Sequence, residues 1–279
     1  MILGISVCVC FATAVVRGVE VDDTQATDAS LWFPVGEEIT YTIYWGKIPV
    51  GRSVASSAWV EGDDGERLLA IRFRTKTNKV LSTIYPVDDF IETQVDPNTF
   101  LPVQFTKKLS EGRYQCHEIT RFDHDAGTAH YYDELDKRSK EYEIDPETRD
   151  LISFMYAMRV EEFPVGSTQE FRVMADEKLY DLTVNALKEE KIKLPDRGRV
   201  SSVVLEPEAA FQGLFVRKGK MKLWVSQDDR RIITKASIKV PVAHVNLVLQ
   251  EVSGPGDDRW VKPAEEERKK PVRRRARRR

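Results

Sequence analysis

Apolar and polar residues alternate with a period of two along most of the chain. In "EEITYTIYW", Ile39, Tyr41, Ile43 and Trp45 share one face while Glu38, Thr40, Thr42 and Tyr44 share the other. That period places successive side chains on opposite sides of an extended backbone and marks half-buried strands. Leu69, Ile71 and Phe73 against Arg72, Arg74 and Lys76 repeat it. So do Phe171-Val173-Ala175, Tyr180-Leu182-Val184, Met221-Leu223-Val225 and Ala243-Val245-Leu247-Leu249. Tight polar turns separate the runs, among them Gly62-Asp63-Asp64-Gly65, Asp96-Pro97-Asn98, Asp125-Ala126-Gly127 and Asp228-Asp229. Many strands joined by short turns predict antiparallel pairing, because parallel neighbours need long crossovers.

One helical period interrupts the strands. Asp145 is placed to cap a helix, Pro146 suits its first position, Glu147 suits its positive end, and Leu151, Phe154, Met155 and Met158 recur at helical spacing. The stretch "FPVG" occurs at Phe33–Gly36 and again at Phe163–Gly166, 130 residues on, each time ahead of an alternating strand. A strand end, an acidic turn and a new strand recur at nearly the same offset, from Asp96 to Asp228. Two landmarks at one spacing predict an internal duplication. The expected fold is mainly β, with antiparallel curved sheets in a half-barrel or sandwich-like arrangement and two pseudo-repeated halves joined by one α-helix. The boundaries are a first β unit over 31–144, a bridging helix over 145–163, a second β unit over 164–253 and a disordered basic tail over 254–279.

The first 16 residues are apolar from Ile2 to Val16, too short for the ~20 residues of a membrane span, and read as the core of a signal peptide over 1–18. Ala12-Thr13-Ala14 supplies small residues for cleavage, Val16-Arg17-Gly18 is a second choice, and 19–30 reads as a polar linker. The expected location is therefore the periplasm or cell envelope, as a soluble product. Removal of Cys8 and Cys10 leaves Cys116 alone, which rules out an internal disulfide framework and reads as a small buried hydrophobe. The formal net charge of -2 hides an asymmetry. Ten Lys/Arg and three Glu from Lys262 onward give the tail +7, so the preceding chain carries -9.

Several ordered stretches carry a resemblance: "FPVGEEITYTIYWGKIPVG", "YPVDDFIETQVD", "LPVQFTKKLSEGRY", "DLISFMYAMR" and "GKMKLWVSQDDRRI". Together they resemble the bacterial domain-of-unknown-function family 3108 over residues 31 to 252. The resemblance implies an exported, largely antiparallel β envelope protein and supplies no catalytic residues. The curved-sheet character is also similar, at the level of fold, to the periplasmic Lol lipoprotein carriers. The sequence departs from the family pattern at Ala243-His244 and in its Arg-rich tail.

Catalytic and cofactor signatures such as HExxH, GxSxG, phosphate-binding loops and CxxC do not occur, and no cofactor or metal is expected. His117, His124 and His130 scatter along a hairpin in place of converging with Asp123. The acidic pairs Asp63-Asp64, Asp88-Asp89 and Asp228-Asp229 fall on opposite strand faces or in turns. Apolar binding is the better-supported chemistry. Trp59 and Trp224 sit on the more polar strand faces, while Trp45 follows an apolar face and reads as core. Phe154, Met155 and Met158 give the helix an adaptable apolar side. The expected ligand-binding set is Trp59, Phe154, Met155, Met158 and Trp224, for an apolar or lipid-like ligand or an envelope partner. Arg273, Arg274, Arg275, Arg277, Arg278 and Arg279 offer a contact to an anionic membrane surface, favoured over nucleic acid behind a signal sequence. An envelope hydrolase with a scattered Asp/His site and a structural role in envelope assembly are the alternatives.

Overall fold

The alternating segments become strands and the helical period becomes one short helix. The computed structural model describes residues 31–195, 197–209, 221–240, 243–256 and 259–261. Its strands are β1 (Glu38–Trp45), β2 (Ile48–Glu61), β3 (Arg67–Thr77), β4 (Asp88–Val95), β5 (Pro102–Glu111), β6 (Tyr114–Asp123), β7 (Thr128–Asp133), β8 (Arg138–Glu143), β9 (Arg149–Asp150), β10 (Thr168–Ala175), β11 (Lys178–Leu194), β12 (Gly198–Ala209), β13 (Met221–Ser226), β14 (Ile233–Val240) and β15 (Ala243–Ser253). The helix, α1 (Leu151–Ala157), follows β9 directly. The expected signal segment, the linker and the basic run from 262 onward lie outside the described residues.

All fifteen strands form one sheet, ordered β8 through β1 and then β15 back through β9. Each half is thus a meander of neighbours in sequence. The two are welded where β1 pairs antiparallel with β15, from Glu38 opposite Ser253 to Trp45 opposite Val245. Among the described residues the strand ladders are antiparallel except for the two-residue β9 on β10. The sheet curls until its ends meet through side chains. Lys107 Nζ on β5 pairs with Asp176 at 2.8 Å, and Arg138 and Tyr142 on β8 reach Glu177 at 2.8 to 3.0 Å. Phe122, Ala129, Ile144 and Met174 fill the space behind them. The edge strand β8 reads "RSKEYE" and is largely exposed, a charged edge of the kind that resists pairing with another sheet.

The duplication is visible in individual hydrogen bonds. In both "FPVG" stretches the glycine takes a positive φ, 95° at Gly36 and 87° at Gly166, and the next amide closes the turn on the proline carbonyl, Glu37 N on Pro34 O and Ser167 N on Pro164 O. Gly36 N then donates to Ser57 O and Ser57 N to Glu37 O. Gly166 N and Ala186 N do the same with Ala186 O and Ser167 O. The turn between β4 and β5 and the turn between β13 and β14 match as well, with positive φ at Phe100 and Arg231 and with Asp96 N on Leu101 O recurring as Ser226 N on Ile232 O.

The helix is shorter than the spacing predicts, and its cap is Asp150, not Asp145. Asp145 and Thr148 close a separate turn on each other, and Arg149-Asp150 is drawn onto β10 as β9. The buried Asp150 carboxylate accepts from Ile152 N at 2.7 Å, Ser153 N at 3.0 Å and Thr93 Oγ1 of β4 at 2.5 Å. Five positions earlier the Asp145 carboxylate pairs with Arg172 Nε at 2.7 Å instead, so tertiary contacts override the local capping signal. The helix lies inside the curl. Ile152, Tyr156 and Ala157 pack with Phe33, Leu69, Ile71 and Val95 of the first half. Phe154 and Met158 pack with Val184, Leu205 and Leu223 of the second.

A second core covers the opposite side of β13, where Ile192, Leu194, Val200, Val204 and Ile232 surround Trp224 and Trp260. Trp260 corrects the expected start of the tail at 254. It is buried, donates from Nε1 to Asp228 Oδ2 at 2.7 Å, and Val261 bridges to Val252.

At the junction of the halves, Glu37, Arg159 and Arg230 form a fully buried ion cluster. Glu37, the residue after the first "FPVG" turn, accepts two bonds from the Arg159 guanidinium at the end of α1. It accepts a third from Arg230 Nη2 at 2.5 Å, and Arg159 Nε binds Arg230 O at 3.1 Å. Removing Glu37 takes the shared carboxylate from two guanidiniums in a low-dielectric interior. Glu37→Gln is expected to lower unfolding free energy by about 3–5 kcal/mol in urea titrations. The half-exposed pair of Asp88 with Arg74 is the control, and Asp88→Asn is expected to cost less than ~1 kcal/mol.

Candidate functional site

The space left between α1 and the concave sheet falls in two adjoining apolar cavities. The first is lined by Leu151, Phe154 and Met155 of the helix and by Val173, Leu182, Leu223 and their neighbours on the second half. The second is lined by Ile39, Tyr41, Phe73, Ile233, Ala236 and Leu247, with Tyr156, Arg159 and again Met155 from the helical segment. Each has a volume of about 40 Å³. Ligand sites usually run to ~300–1,000 Å³, so the protein's own side chains fill most of the interior. Met155 is the wall common to both. An unbranched side chain with three rotatable bonds is the one most easily moved.

The two cavities differ in polarity. The first is apolar except at Asp176 and Tyr180, on the hairpin that joins β10 and β11. Asp176 and Glu177 both take positive φ, at 47° and 59°, a turn that Asn-Gly pairs usually supply. Their carboxylates hold Lys107 and Arg138 across the seam, so the tight turn is tied down at the rim of the cavity. The second cavity carries the polar groups. Tyr156 Oη is buried and finds no hydrogen-bond partner among the described residues. Burial pushes the Tyr156 and Tyr41 hydroxyls well above the ordinary phenol value, so both remain O–H donors at neutral pH. The Arg159 guanidinium lies beside them, 4.9 Å from the Tyr156 ring and oriented by Glu37. An apolar pocket thus abuts one with two phenols and a fixed cation.

The residues expected from sequence to bind a ligand are not all brought together. Phe154 and Met155 line the first cavity, and Met155 the second as well. Met158, one turn on, is core packing against the second half. Trp224 points to the other side of β13, buried with Trp260 and covered by Lys235 Nζ at 4.3 Å from its ring. The chain's own C-terminal segment fills the role expected of a ligand there. Trp59 packs at the margin of the first-half core beneath the Arg67 guanidinium, 3.9 Å away. Trp45, read as core, is instead half exposed at the end of β1. Tyr41, Tyr156 and Arg159 were missed. Their signal was an arginine inside an otherwise apolar helical stretch.

The acids and histidines stay dispersed. Among the described residues no three His, Cys, Asp or Glu side chains gather in a group able to hold a metal. His124 Nε2 lies 3.0 Å from Pro102 O, and His130 pairs with Glu141 on an exposed face. Asp123 closes its own turn on Ala126 N, and Asp88 is taken by Arg74 and Lys76. Cys116 is buried, and burial together with a bond to Glu118 pushes its thiol up to about 12.

The fold and interior define a curled antiparallel β-sheet protein wrapped around one α-helix among the described residues. The sequence matches a protein family of unknown function, DUF3108, over residues 40–250, and the chain belongs to that family. In fold it is similar to a beta-barrel-like protein of domain of unknown function DUF1849 from Brucella abortus, known from a crystal structure. The TM-score is 0.52 at 10% identity, covering 78% of this chain and 97% of that one, so the likeness is one of fold. No curated protein matches the sequence.

Asp89 is buried while its neighbour Asp88 is exposed. Burial raises its carboxyl from 3.8 to about 6 against the opposing bond from Ser110 N, with Glu111 and Asp88 adding to the rise. Between those values the folded state binds more protons than the unfolded one, so this group's contribution to stability falls as pH rises through the window and is level above it. Asp89→Asn keeps an acceptor for Ser110 N and removes the charge. Its stability relative to the parent is expected to be unchanged near pH 4 and to grow to about 1–2 kcal/mol above pH 7. Urea denaturation at four pH values reads the difference.

Proposed function

We propose that this is an exported envelope protein, not an enzyme, that binds a single apolar or lipid-like molecule inside the curled sheet. The observation that carries the reading is Met155 standing between two adjoining apolar cavities, one of which ends in Tyr41, Tyr156 and Arg159. On this reading the Met155 side chain rotates, the cavities merge, and an apolar body occupies the second half while a polar or anionic end meets the phenols and the guanidinium. The signal-like N-terminus supports an envelope location, and the basic run at the C-terminus supports retention near an anionic surface. The dispersal of the acids and histidines leaves the hydrolase alternative without a specific observation in its favour.

The test is mass spectrometry of an organic extract of the natively purified protein, followed by titration with the fluorescent fatty acid cis-parinaric acid. A stoichiometric apolar molecule and saturable uptake are expected. Met155→Trp, which fills the partition, is expected to weaken uptake by about tenfold or more, comparable to the loss of a few methylene contacts in an apolar pocket. An empty protein that takes up none of the probe contradicts the proposal.

A further inference from the structure

In an antiparallel meander, alternate connections fall at the same end of the sheet. The turns β1–β2, β3–β4 and β5–β6 are therefore neighbours, and backbone bonds join them. Asn78 N reaches Val50 O at 2.9 Å, Asn78 Nδ2 reaches Pro49 O at 2.7 Å, and Gly112 N reaches Pro86 O at 2.8 Å. These three tips carry six of the ten large apolar side chains that stand exposed among the described residues: Trp45, Ile48, Val80, Ile84, Tyr85 and Tyr114. Val80 and Ile84 are 78% and 79% exposed. An apolar surface of that kind is maintained against its own solvation cost.

Each tip also carries a cation: Lys47, Lys79 and Arg113. The stretches 45–50 and 78–87 contain no Asp or Glu, the third tip sets Glu111 beside Arg113, and the nearest acid of β4, Asp88, is already paired with Arg74 and Lys76. Aliphatic side chains at projecting points, Trp and Tyr beside them and a ring of Lys/Arg behind are the composition of a surface that enters the headgroup layer of a membrane. The three tips lie side by side, joined by these bonds and by the Tyr85 ring against Gly112, a broad end that suits a soft, continuous partner better than a peptide. A second copy docked symmetrically would oppose like charges.

We propose that this end of the sheet docks on the surface of an anionic lipid bilayer, inserting Val80, Ile84 and Trp45 while Lys47, Lys79 and Arg113 meet lipid phosphates. The contact is distinct from the basic run at the C-terminus. It stands whether or not the interior takes a ligand. The β10–β11 hairpin at the rim of the first cavity is another of the alternate connections and falls at this same end, so docking brings the cavity toward the lipid.

The experiment is flotation, at moderate salt, of the full chain and of the same chain with Arg273, Arg274, Arg275, Arg277, Arg278 and Arg279 replaced by Ser, with vesicles of phosphatidylethanolamine and phosphatidylglycerol, alongside vesicles whose acyl chains carry bromine. Co-flotation and tryptophan quenching are expected, with the quenching lost in Trp45→Phe. Val80→Ser with Ile84→Ser, and separately Lys47→Glu with Lys79→Glu, are each expected to weaken partition by about tenfold. All four positions are exposed, so unchanged melting temperatures are expected to accompany the loss. The proposal is overturned if the wild type fails to float. It is also overturned if the tip variants float as well as the parent, which assigns any binding to the basic run. Self-association abolished by the same variants in the absence of lipid would assign the patch to a second copy and likewise overturn it.

Discussion

The buried carboxylate of Glu37 is the point on which the molecule is organised. It sits directly after the turn that starts the first half, and its partners come from the end of the helix and from a turn of the second half. Glu37 is the carboxylate that both buried guanidiniums share, and removing it leaves their positive charge unbalanced within the cluster. The cluster therefore fixes the entry of β1, the exit of α1 and the β13–β14 turn relative to one another. Placing β1 places β15 beside it, and that single pairing turns two sequence-local meanders into one sheet. Buried ion clusters add little net stability over an apolar core, but they tolerate few alternative packings.

Fixing the helix inside the curl has a consequence for the interior. A seven-residue helix has little stability of its own and depends on the faces it covers. One side is committed to the first half through Ile152 and Tyr156, and the other to the second through Phe154 and Met158. Met155 falls between these commitments, and the unfilled space collects around it. The sheet's ends, meanwhile, meet through the Lys107 and Arg138 ion pairs without a backbone ladder. Such a seam can part without breaking sheet hydrogen bonds. The internal space and the easiest route to it thus lie together beside the β10–β11 hairpin.

Much of this was legible in the order of residues. Period-two alternation marked the strands because one face of each is buried, and "FPVG" marked the duplication because a positive φ at the glycine makes the turn recognisable wherever it recurs. What escaped was non-local. Asp145 has the better local capping context, yet Asp150 caps the helix because Thr93 of β4 and the β9–β10 contact reward that position. Trp224 stands on a face that reads as polar and is buried because the chain returns to lay Trp260 over it. Glu37 looks like an ordinary solvent-facing acid until Arg159 and Arg230 arrive from 122 and 193 residues away. Met155 was expected to contact a ligand from composition and spacing. Its place as the wall between two cavities depended on the sheet around it.

On the proposed reading the interior opens at Met155 to receive an apolar molecule. Only five methionines occur in the sequence, so their methyl groups are resolvable probes by nuclear magnetic resonance. In a titration with oleate, the account expects the Met155 methyl to shift first and furthest, Met221 at the first cavity to follow, and Met174 behind the seam to move least. Saturating oleate that leaves Met155 unmoved, or that moves all the methyls together as the protein unfolds, would contradict it.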